Sequence, residues 1–185
     1  EAEEKPILEA LGQVLAEDVV SKLDIPPLDN SAMDGYAVQA SRIKGASIDT
    51  PVVLQVIGSA AAGELPKDQV SPDTAVRIMT GAPLPNGADA IVPFEDTDEK
   101  ARRLSERGLS DIGINVEVEP GTHVRPAGQD VGKGVLVLEK GTILRPAEIG
   151  VLASLGCSSV RVIRRPVVAI LATGDELLEP GEKYV

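Results

Sequence analysis

Four short turns in this sequence place a glycine beside an acid or a hydroxyl group. They read MDGY, TGAP, AGQD and TGDE, and they contribute Asp34, Thr80, Asp130, Asp175 and Glu176. Such turns expose backbone N–H groups to anions, while carboxylates can hold a hard cation such as Mg²⁺ that bridges to phosphate oxygens. Each acid by itself is most simply a turn former, because Asp beside Gly commonly has that role. The repetition in an otherwise aliphatic chain favours a site for Mg²⁺ and an anionic substrate.

Basic residues near these turns can contact an anion directly. They are Arg77, Arg125 and Lys133, although Arg77 fits equally well as a charge at a strand edge. His123 is the only histidine, and a lone histidine without a second ligand supports a structural role over a transition-metal site. No histidine lies near Cys157 in the sequence, which favours a small buried filler over a nucleophile.

Composition excludes several classes of function. A net charge of −11 and a pI near 4.6 oppose general affinity for nucleic acids or anionic membranes. A single cysteine excludes an internal disulfide, and no apolar run approaches the roughly 20 residues of a membrane span, so we expect a cytoplasmic protein. Serine hydrolase elbows, Walker loops and dinucleotide-binding glycine motifs are all missing from the sequence.

Hydrophobic spacing predicts two amphipathic helices that can pack together. The first covers residues 7–20, where apolar residues recur at helical intervals, and the second covers residues 146–155. Pro146 fits the first position of the second helix, and Gly156 fits a left-handed cap at its end.

The remaining segments favour strands. PVVLQVIGSAAAG predicts one strand, AVRIMTGAPLPNGADAIVPFED predicts two joined by a turn, and the glycine-rich part from Ile114 to Leu144 predicts short strands of a compact β module. The charged segment EKARRLSERGLSDIG fits a short helix or a loop. The apolar run Val167–Leu171 predicts a central parallel strand that leads into TGDE.

Five motifs in order make the chain resemble one family over nearly its whole length. DNSAMDGYAV, VRIMTGAPLPNGADAIV, HVRPAGQDVGKG, PAEIGVLASLG and VAILATGDELLEPGE are similar to motifs of the MoeA/gephyrin family, the molybdopterin molybdenumtransferases. The resemblance implies dimeric enzymes that insert molybdenum from molybdate into adenylylated molybdopterin with Mg²⁺ and release AMP. It also implies molybdopterin adenylyltransferase as the pathway partner.

The same resemblance assigns residues by matching motif. Asp34, Thr80, Asp130 and Glu176 correspond to the family's functional positions, and three of them, Asp34, Asp130 and Glu176, are expected at the Mg²⁺ or molybdate site. The expected substrate-binding residues are Gly174, Asp175, Arg77 and Arg125. In the family the β lobe of one subunit faces the pterin domain of the other, so the site is expected to be completed in trans.

The expected fold is mainly β with a few helices, an α+β arrangement of irregular bent sheets with a small helical lobe and an inserted β lobe. We place the helical lobe, domain I, at residues 1–22 with 132–165, the β lobe, domain II, at residues 23–131, and the start of a truncated α/β molybdopterin-binding domain at residues 166–185. Because the chain starts without Met and stops at GEKYV, we expect a part of a longer protein, inactive alone.

Two hypotheses remain from the sequence. In the first, the parent protein is a molybdenum insertase and this chain is its N-terminal part. In the second, the chain is a non-catalytic scaffold or assembly module of the same fold. Thr80, Asp130 and Glu176 beside glycines favour the first, because a scaffold has no physical need for them.

Overall fold

The computed structural model describes residues 1–103, 109–171, 173–174 and 176–183. The strands are β1 (Ala2–Pro6), β2 (Val19–Val20), β3 (Asn30–Ser31), β4 (Gly35–Val38), β5 (Val52–Ala60), β6 (Thr74–Ile78), β7 (Ala90–Pro93), β8 (Asp111–Ile114), β9 (Val124–Arg125), β10 (Leu136–Leu138) and β11 (Ser159–Ile163). The helices are α1 (Glu99–Arg103) and α2 (Pro146–Ser154), with 3₁₀ turns at Ile7–Glu9, Ala40–Arg42 and Phe94–Asp96. The prediction of a mainly β fold with a few helices is confirmed.

The chain forms two compact units, one of residues 20–137 and one of residues 1–19 with 138–185. The short strands β2 and β10 pair with each other. Each unit has its own apolar core. None of the helices in the described part of the chain has the length and apolar character needed to cross a membrane.

A five-stranded sheet organises residues 20–137. Its strand order is β7-β4-β6-β5-β8, in which β5 and β6 run parallel and the other pairs antiparallel. Side chains alternate between the faces of a strand, and here Tyr36 and Val38 enter one core while Ala37 enters another. Both faces of β4 are therefore covered, which fixes the strand that begins within MDGY. The strands predicted from PVVLQVIGSAAAG and AVRIMTGAPLPNGADAIVPFED occur as β5, β6 and β7.

The charged segment after β7 begins as a helix. Helix α1 covers Glu99–Arg103, which agrees with the helical alternative for this stretch, and residues 104–108 lie outside the described part. Asp98 precedes α1, and its Oδ1 accepts the Gly113 N–H at 2.7 Å. This bond joins the start of the helix to strand β8.

In the other unit, β1 and β11 pair antiparallel, and α2 packs on the 3₁₀ turn Ile7–Glu9. The core of this unit consists of Ala10, Leu15, Leu144, Leu152, Val160 and Val162. As predicted, α2 begins at Pro146, and Gly156 follows the helix with a φ of 73°. The Arg145 N–H donates to Glu148 Oε2 at 2.9 Å. This bond satisfies a backbone N–H group at the start of the helix. Cys157 is partly buried against this core, in agreement with a filler role.

The predicted helix over residues 7–20 is wrong. The structure has only the 3₁₀ turn Ile7–Glu9, and Gly12 then takes a φ of 74° that no α-helix accommodates. Beyond it, Leu15 bridges to Val162 and is fully buried, whereas Leu8 remains 80% exposed. The apolar spacing fits a helix by coincidence, because the buried residues are placed by bridges to strands distant in sequence.

The predicted buried strand at Val167–Leu171 is also absent. Residues 164–171 have no regular structure, and Val167 and Ile170 are 90% and 91% exposed. A parallel strand is buried only when strands and helices cover it on both faces. None of the strands in the described residues pairs with this segment.

Candidate functional site

The segment from Asp29 to Asp34 lies between two loops that it holds by backbone hydrogen bonds. On one side, Ser31 donates to Ala82 O at 3.0 Å and accepts from Gly81 N at 2.8 Å. On the other side, Ala32 donates to His123 O at 2.9 Å, and β3 pairs with β9. The Ala127 N–H of AGQD also donates to Asp29 Oδ1 at 2.8 Å. TGAP and AGQD, far apart in sequence, are therefore anchored to the same short segment.

Gly35 fixes the position of Asp34 at the end of this segment. A Cβ atom at Gly35 would lie 2.1 Å from Val92 O, so only glycine permits the close approach of β4 and β7. Before it, the Met33 N–H donates to Ser31 Oγ at 3.2 Å in a local turn. The Phe94 N–H also donates to Asp34 O at 3.2 Å. The backbone on both sides of Asp34 is therefore held in place.

Asp34 and Thr80 meet through this arrangement. Thr80 donates its backbone N–H and its hydroxyl to Asp34 Oδ1, each at 2.7 Å. The backbone bond most strongly, then the hydroxyl bond, lowers the pKa of the Asp34 carboxyl, and the positive charge of Arg77 adds to the effect. Asp34 is ionised at neutral pH, and its Oδ2 has no hydrogen-bond partner among the described residues. The pair presents an exposed, charged acceptor that can take a proton or bind a ligand.

Arg125 and Asp130 form the second pair. Arg125 Nη2 lies 3.1 Å from Asp130 Oδ1 and 3.0 Å from Oδ2, and both side chains are partly open to solvent. Arg125 belongs to β9, opposite Asn30 of β3. Since only one guanidinium nitrogen is engaged, the others can donate to an oxyanion.

Arg77 points into a different network. Its guanidinium contacts Glu99 Oε1 at 3.3 Å and lies 4.3 Å from the centre of the Phe94 ring, which packs edge-on against Tyr36. Arg103 also pairs with Glu99, whose side chain is almost completely buried. Burial, together with the neighbouring Glu99, raises the pKa of the Tyr36 hydroxyl. Arg77 therefore acts on Asp34 through its charge, while its hydrogen bonds go elsewhere.

Of the other predicted residues, Gly174 and Glu176 fall in the unit of residues 1–19 and 138–185, whereas Lys133 lies in the unit of residues 20–137. Glu176 is exposed, and its carboxylate folds back over Gly174, where a Cβ atom would lie 2.1 Å from Glu176 Oε1. Asp175 lies outside the described residues. Lys133, the third predicted cation, uses its backbone N–H to hold Asp24 Oδ1 at 2.8 Å.

The positions of the acids limit how many protein ligands a magnesium ion can have in this region. Over residues 1–103, 109–171, 173–174 and 176–183, no three His, Cys, Asp or Glu side chains come together as metal ligands. Mg²⁺ prefers octahedral oxygen coordination, commonly with one or two carboxylates, substrate phosphates and several waters. Magnesium binding therefore stays a prediction, since one or two carboxylates can hold the ion when substrate phosphates and waters complete its coordination.

Two residues of this region were missed by sequence reasoning. Glu99 forms ion pairs with two arginines, and the Arg77 guanidinium lies over the face of the Phe94 ring. The i,i+4 spacing of Glu99 and Arg103 was the one available signal, and it is common on solvated helices. The burial of Glu99 comes from the packing of α1 against the sheet, which spacing does not reveal.

Comparison with known proteins identifies relatives of this chain. The family model of the MoeA N-terminal region (domain I and II) matches residues 1–156. Molybdopterin molybdenumtransferase 2 of Mycobacterium tuberculosis is 44% identical over 176 residues, which are 95% of this chain and 42% of that protein. Molybdopterin molybdenumtransferase of Bacillus subtilis is 39% identical over 180 residues, covering 94% of this chain and 41% of its own length.

A solved structure gives the same result for the fold. The crystal structure of the molybdopterin biosynthesis MoeA protein from Pyrococcus horikoshii OT3 matches with a TM-score of 0.86 and 40% identity, over 98% of this chain and 46% of that one. The chain thus spans less than half the length of these relatives. With a matching family model over residues 1–156 and this shared fold, the chain belongs to the MoeA family, as its N-terminal region.

Proposed function

We propose that this chain is the N-terminal part of a molybdenum insertase. The parent protein transfers molybdenum from molybdate to adenylylated molybdopterin in molybdenum cofactor biosynthesis and releases AMP. The names of the relatives, molybdopterin molybdenumtransferases, support this reaction class. Because the chain covers less than half of those relatives, we expect it to be inactive without the remaining domains.

The Asp34–Thr80 pair is the observation that carries the proposal. Two hydrogen bonds to Oδ1 keep the carboxylate ionised and fixed, while Oδ2 stays available on an exposed surface. A scaffold has no need for an oriented, unpaired carboxylate oxygen. In an insertase, that oxygen can accept a hydrogen bond from the substrate and so orient it in the site.

Arg125 and Asp130 supply the complementary charge. The guanidinium keeps N–H donors for an oxyanion, and Asp130 holds it at the edge of β9. Molybdate carries negative charge, so a positioned arginine offsets the repulsion between the anion and Asp34. The two pairs therefore have different roles, Arg125 in binding the anion and Asp34 in orienting a hydrogen-bond donor of the substrate.

We also propose an oligomeric state and a cellular location for the parent protein. We propose that the parent is a cytoplasmic homodimer in which the β lobe of one subunit completes the site of the other. A molybdopterin adenylyltransferase supplies the adenylylated substrate. The match to the MoeA N-terminal region supports these assignments by relationship.

Substitution of the acids in the full-length parent tests the function. Asp34→Asn keeps the shape and one acceptor for Thr80 but removes the charge, so insertion should fall about a hundredfold or more while folding survives. Asp130→Asn should also reduce insertion. Asp49→Asn changes an exposed acid outside the site and serves as the control. Unchanged insertion in both site variants would favour the non-catalytic assembly module.

A further inference from the structure

Asn86 and Gly87 lie in an exposed turn between the TGAP motif and strand β7. The Ala88 N–H donates to Pro85 O at 3.2 Å and closes the turn, and both Asn86 and Gly87 are exposed to solvent. Among the described residues, neither the Asn86 side chain nor the Gly87 N–H has a hydrogen-bond partner. The side-chain amide of Asn86 and the backbone nitrogen that follows it are therefore free to react with each other.

The fold requires a glycine directly after Asn86. Gly87 has a φ of 85°, and a Cβ atom at this position would lie 2.2 Å from Val70 O. Val70 is 2% exposed, and its N–H donates to Asn86 O at 2.8 Å, so the turn is held against the core by the same residue. Because glycine has no side chain, the Gly87 nitrogen is open to close approach by the Asn86 side chain.

The two other asparagines of the chain, Asn30 and Asn115, are placed differently. Asn30 is only 8% exposed, and the N–H of the following Ser31 donates to Ala82 O at 3.0 Å. Asn115 is followed by Val116, whose branched side chain hinders approach to its own backbone nitrogen. Of the three asparagines, Asn86 alone combines an exposed amide with an unhindered and unpaired nitrogen after it.

We propose that Asn86 is a site of spontaneous deamidation, which converts it to a mixture of aspartate and isoaspartate. The Gly87 nitrogen loses its proton and forms a bond to Asn86 Cγ. The bond between Cγ and Nδ2 then breaks, and Nδ2 takes up the proton and leaves as ammonia. The product is a cyclic imide, and the step needs no oxidant, reductant or enzyme.

Water opens the imide at either of its two carbonyl groups. Cleavage of the new bond gives aspartate, and cleavage of the original main-chain bond gives isoaspartate, in which the chain runs through Cβ and Cγ. Either product adds a negative charge to a chain whose net charge is already −11. Asn86 and Asp29 line the same cavity of about 630 Å³, so the new carboxylate lies near a like charge. Isoaspartate also lengthens the main chain beside the carbonyl group that binds the Val70 N–H.

Incubation of the folded chain at neutral and at mildly alkaline pH, followed by peptide mapping with mass spectrometry, tests the proposal. Asn86 should lose its amide at least about tenfold faster than Asn30, because the Ser31 N–H is released only by local opening of the structure. The loss should be faster at the alkaline pH, because the deprotonated nitrogen is the nucleophile. Enzymatic methylation of isoaspartate should label the peptide that contains residue 86.

The same incubation of the chain in urea separates the effect of the fold from that of the sequence. Unfolding frees the Ser31 N–H, so Asn30 should react faster in urea than in the folded chain. Asn86 should react in both states, because its turn is already exposed. Retention of the Asn86 amide in the folded chain, while the unfolded chain loses it, would overturn the proposal. Equal loss at Asn30 and Asn86 in the folded chain would overturn it as well.

Asn86→Gln is the matched control variant. Its side chain is longer by one methylene group, so the same attack would form a larger ring, which closes far more slowly. The peptide that contains residue 86 should stay unlabelled in this variant, and its thermal unfolding should match that of the unchanged chain because the side chain is exposed. Persistent labelling of that peptide would place the isoaspartate at Asp89 and overturn the assignment to Asn86.

Discussion

Thr80 places two donors, its backbone N–H and its hydroxyl, at 2.7 Å from the same oxygen of Asp34. The second oxygen is left without a partner among the described residues. This asymmetry separates the two tasks of one carboxylate, because Oδ1 fixes the orientation and Oδ2 remains available to a ligand.

The first prediction concerns Thr80→Val. Loss of the hydroxyl should raise the pKa of Asp34 toward its ordinary value without fully restoring it, because the backbone N–H still donates. Carboxyl ¹³C NMR of Asp34 during an acid titration measures the change. Thr50→Val, on an exposed loop, should leave the Asp34 titration unaltered.

The sign of the linked stability follows from the lowered pKa. A group whose pKa falls on folding stabilises the protein above its unfolded-state pKa and loses that contribution as pH drops through the folded-state value. Acid should therefore remove less stability from Thr80→Val than from the unchanged chain. Identical Asp34 titrations in the two proteins would mean that the hydroxyl bond has no electrostatic effect.

Local signals predicted some of these elements well and others poorly. Helix α2 was predictable because Pro146 and Gly156 mark its ends within the sequence itself. The false helix at residues 7–20 arose because Leu15 is buried by a bridge to Val162, which lies far away in the chain. Hydrophobic periodicity reports only on residues that are close in sequence. It therefore mispredicts the local structure where a residue is buried by a strand that is distant in sequence.

In the candidate site too, the sequence predicts some features and not others. Asp34 and Thr80 were both identified from motifs, but their direct bond depends on the pairing of β4 with β6. Arg77 is predicted to contact substrate, and its hydrogen bonds to Glu99 and Met79 in the structure are partners that the motif does not reveal. Motifs identify chemically capable residues, whereas the fold decides which partners they have.

The second prediction is that Glu99→Gln destabilises the protein. Glu99 is nearly buried and pairs with Arg77 at 3.3 Å and with Arg103 at 2.5 Å, so its neutralisation leaves two guanidinium groups without a compensating charge. Breaking a buried ion pair costs about 3–5 kcal/mol, and the partial exposure of both arginines places this case near or below the lower end. Urea unfolding measures the loss. Glu95→Gln alters a neighbouring exposed acid and should stay within about 0.5 kcal/mol.

The third prediction compares two glycines. Gly35→Ala places a Cβ atom 2.1 Å from Val92 O inside the sheet, so the free energy of unfolding should fall by about 3 kcal/mol or more. Gly150→Ala adds a methyl group in open space on α2 and should raise it by about 0.5–1 kcal/mol through helix propensity. Thermal and urea unfolding of both variants give the comparison. A stable Gly35→Ala variant would show that β4 and β7 can separate without cost.

The last prediction tests whether the site is shared between subunits of the parent. Asp34 and Asp130 belong to the unit of residues 20–137, while Glu176 belongs to the other unit. If the β lobe of one subunit completes the site of its partner, an Asp34→Asn subunit and a Glu176→Gln subunit together form one fully intact site and one doubly altered site. Random exchange of equal amounts should then restore about a quarter of the unchanged activity, because about half of the dimers are mixed.

An Asp34→Asn and Asp130→Asn mixture is the matched control, since both changes lie in the β lobe and every site keeps one of them. Activity no greater than that of the separate variants, after exchange is verified by mass spectrometry, would place Asp34 and Glu176 in the site of one subunit.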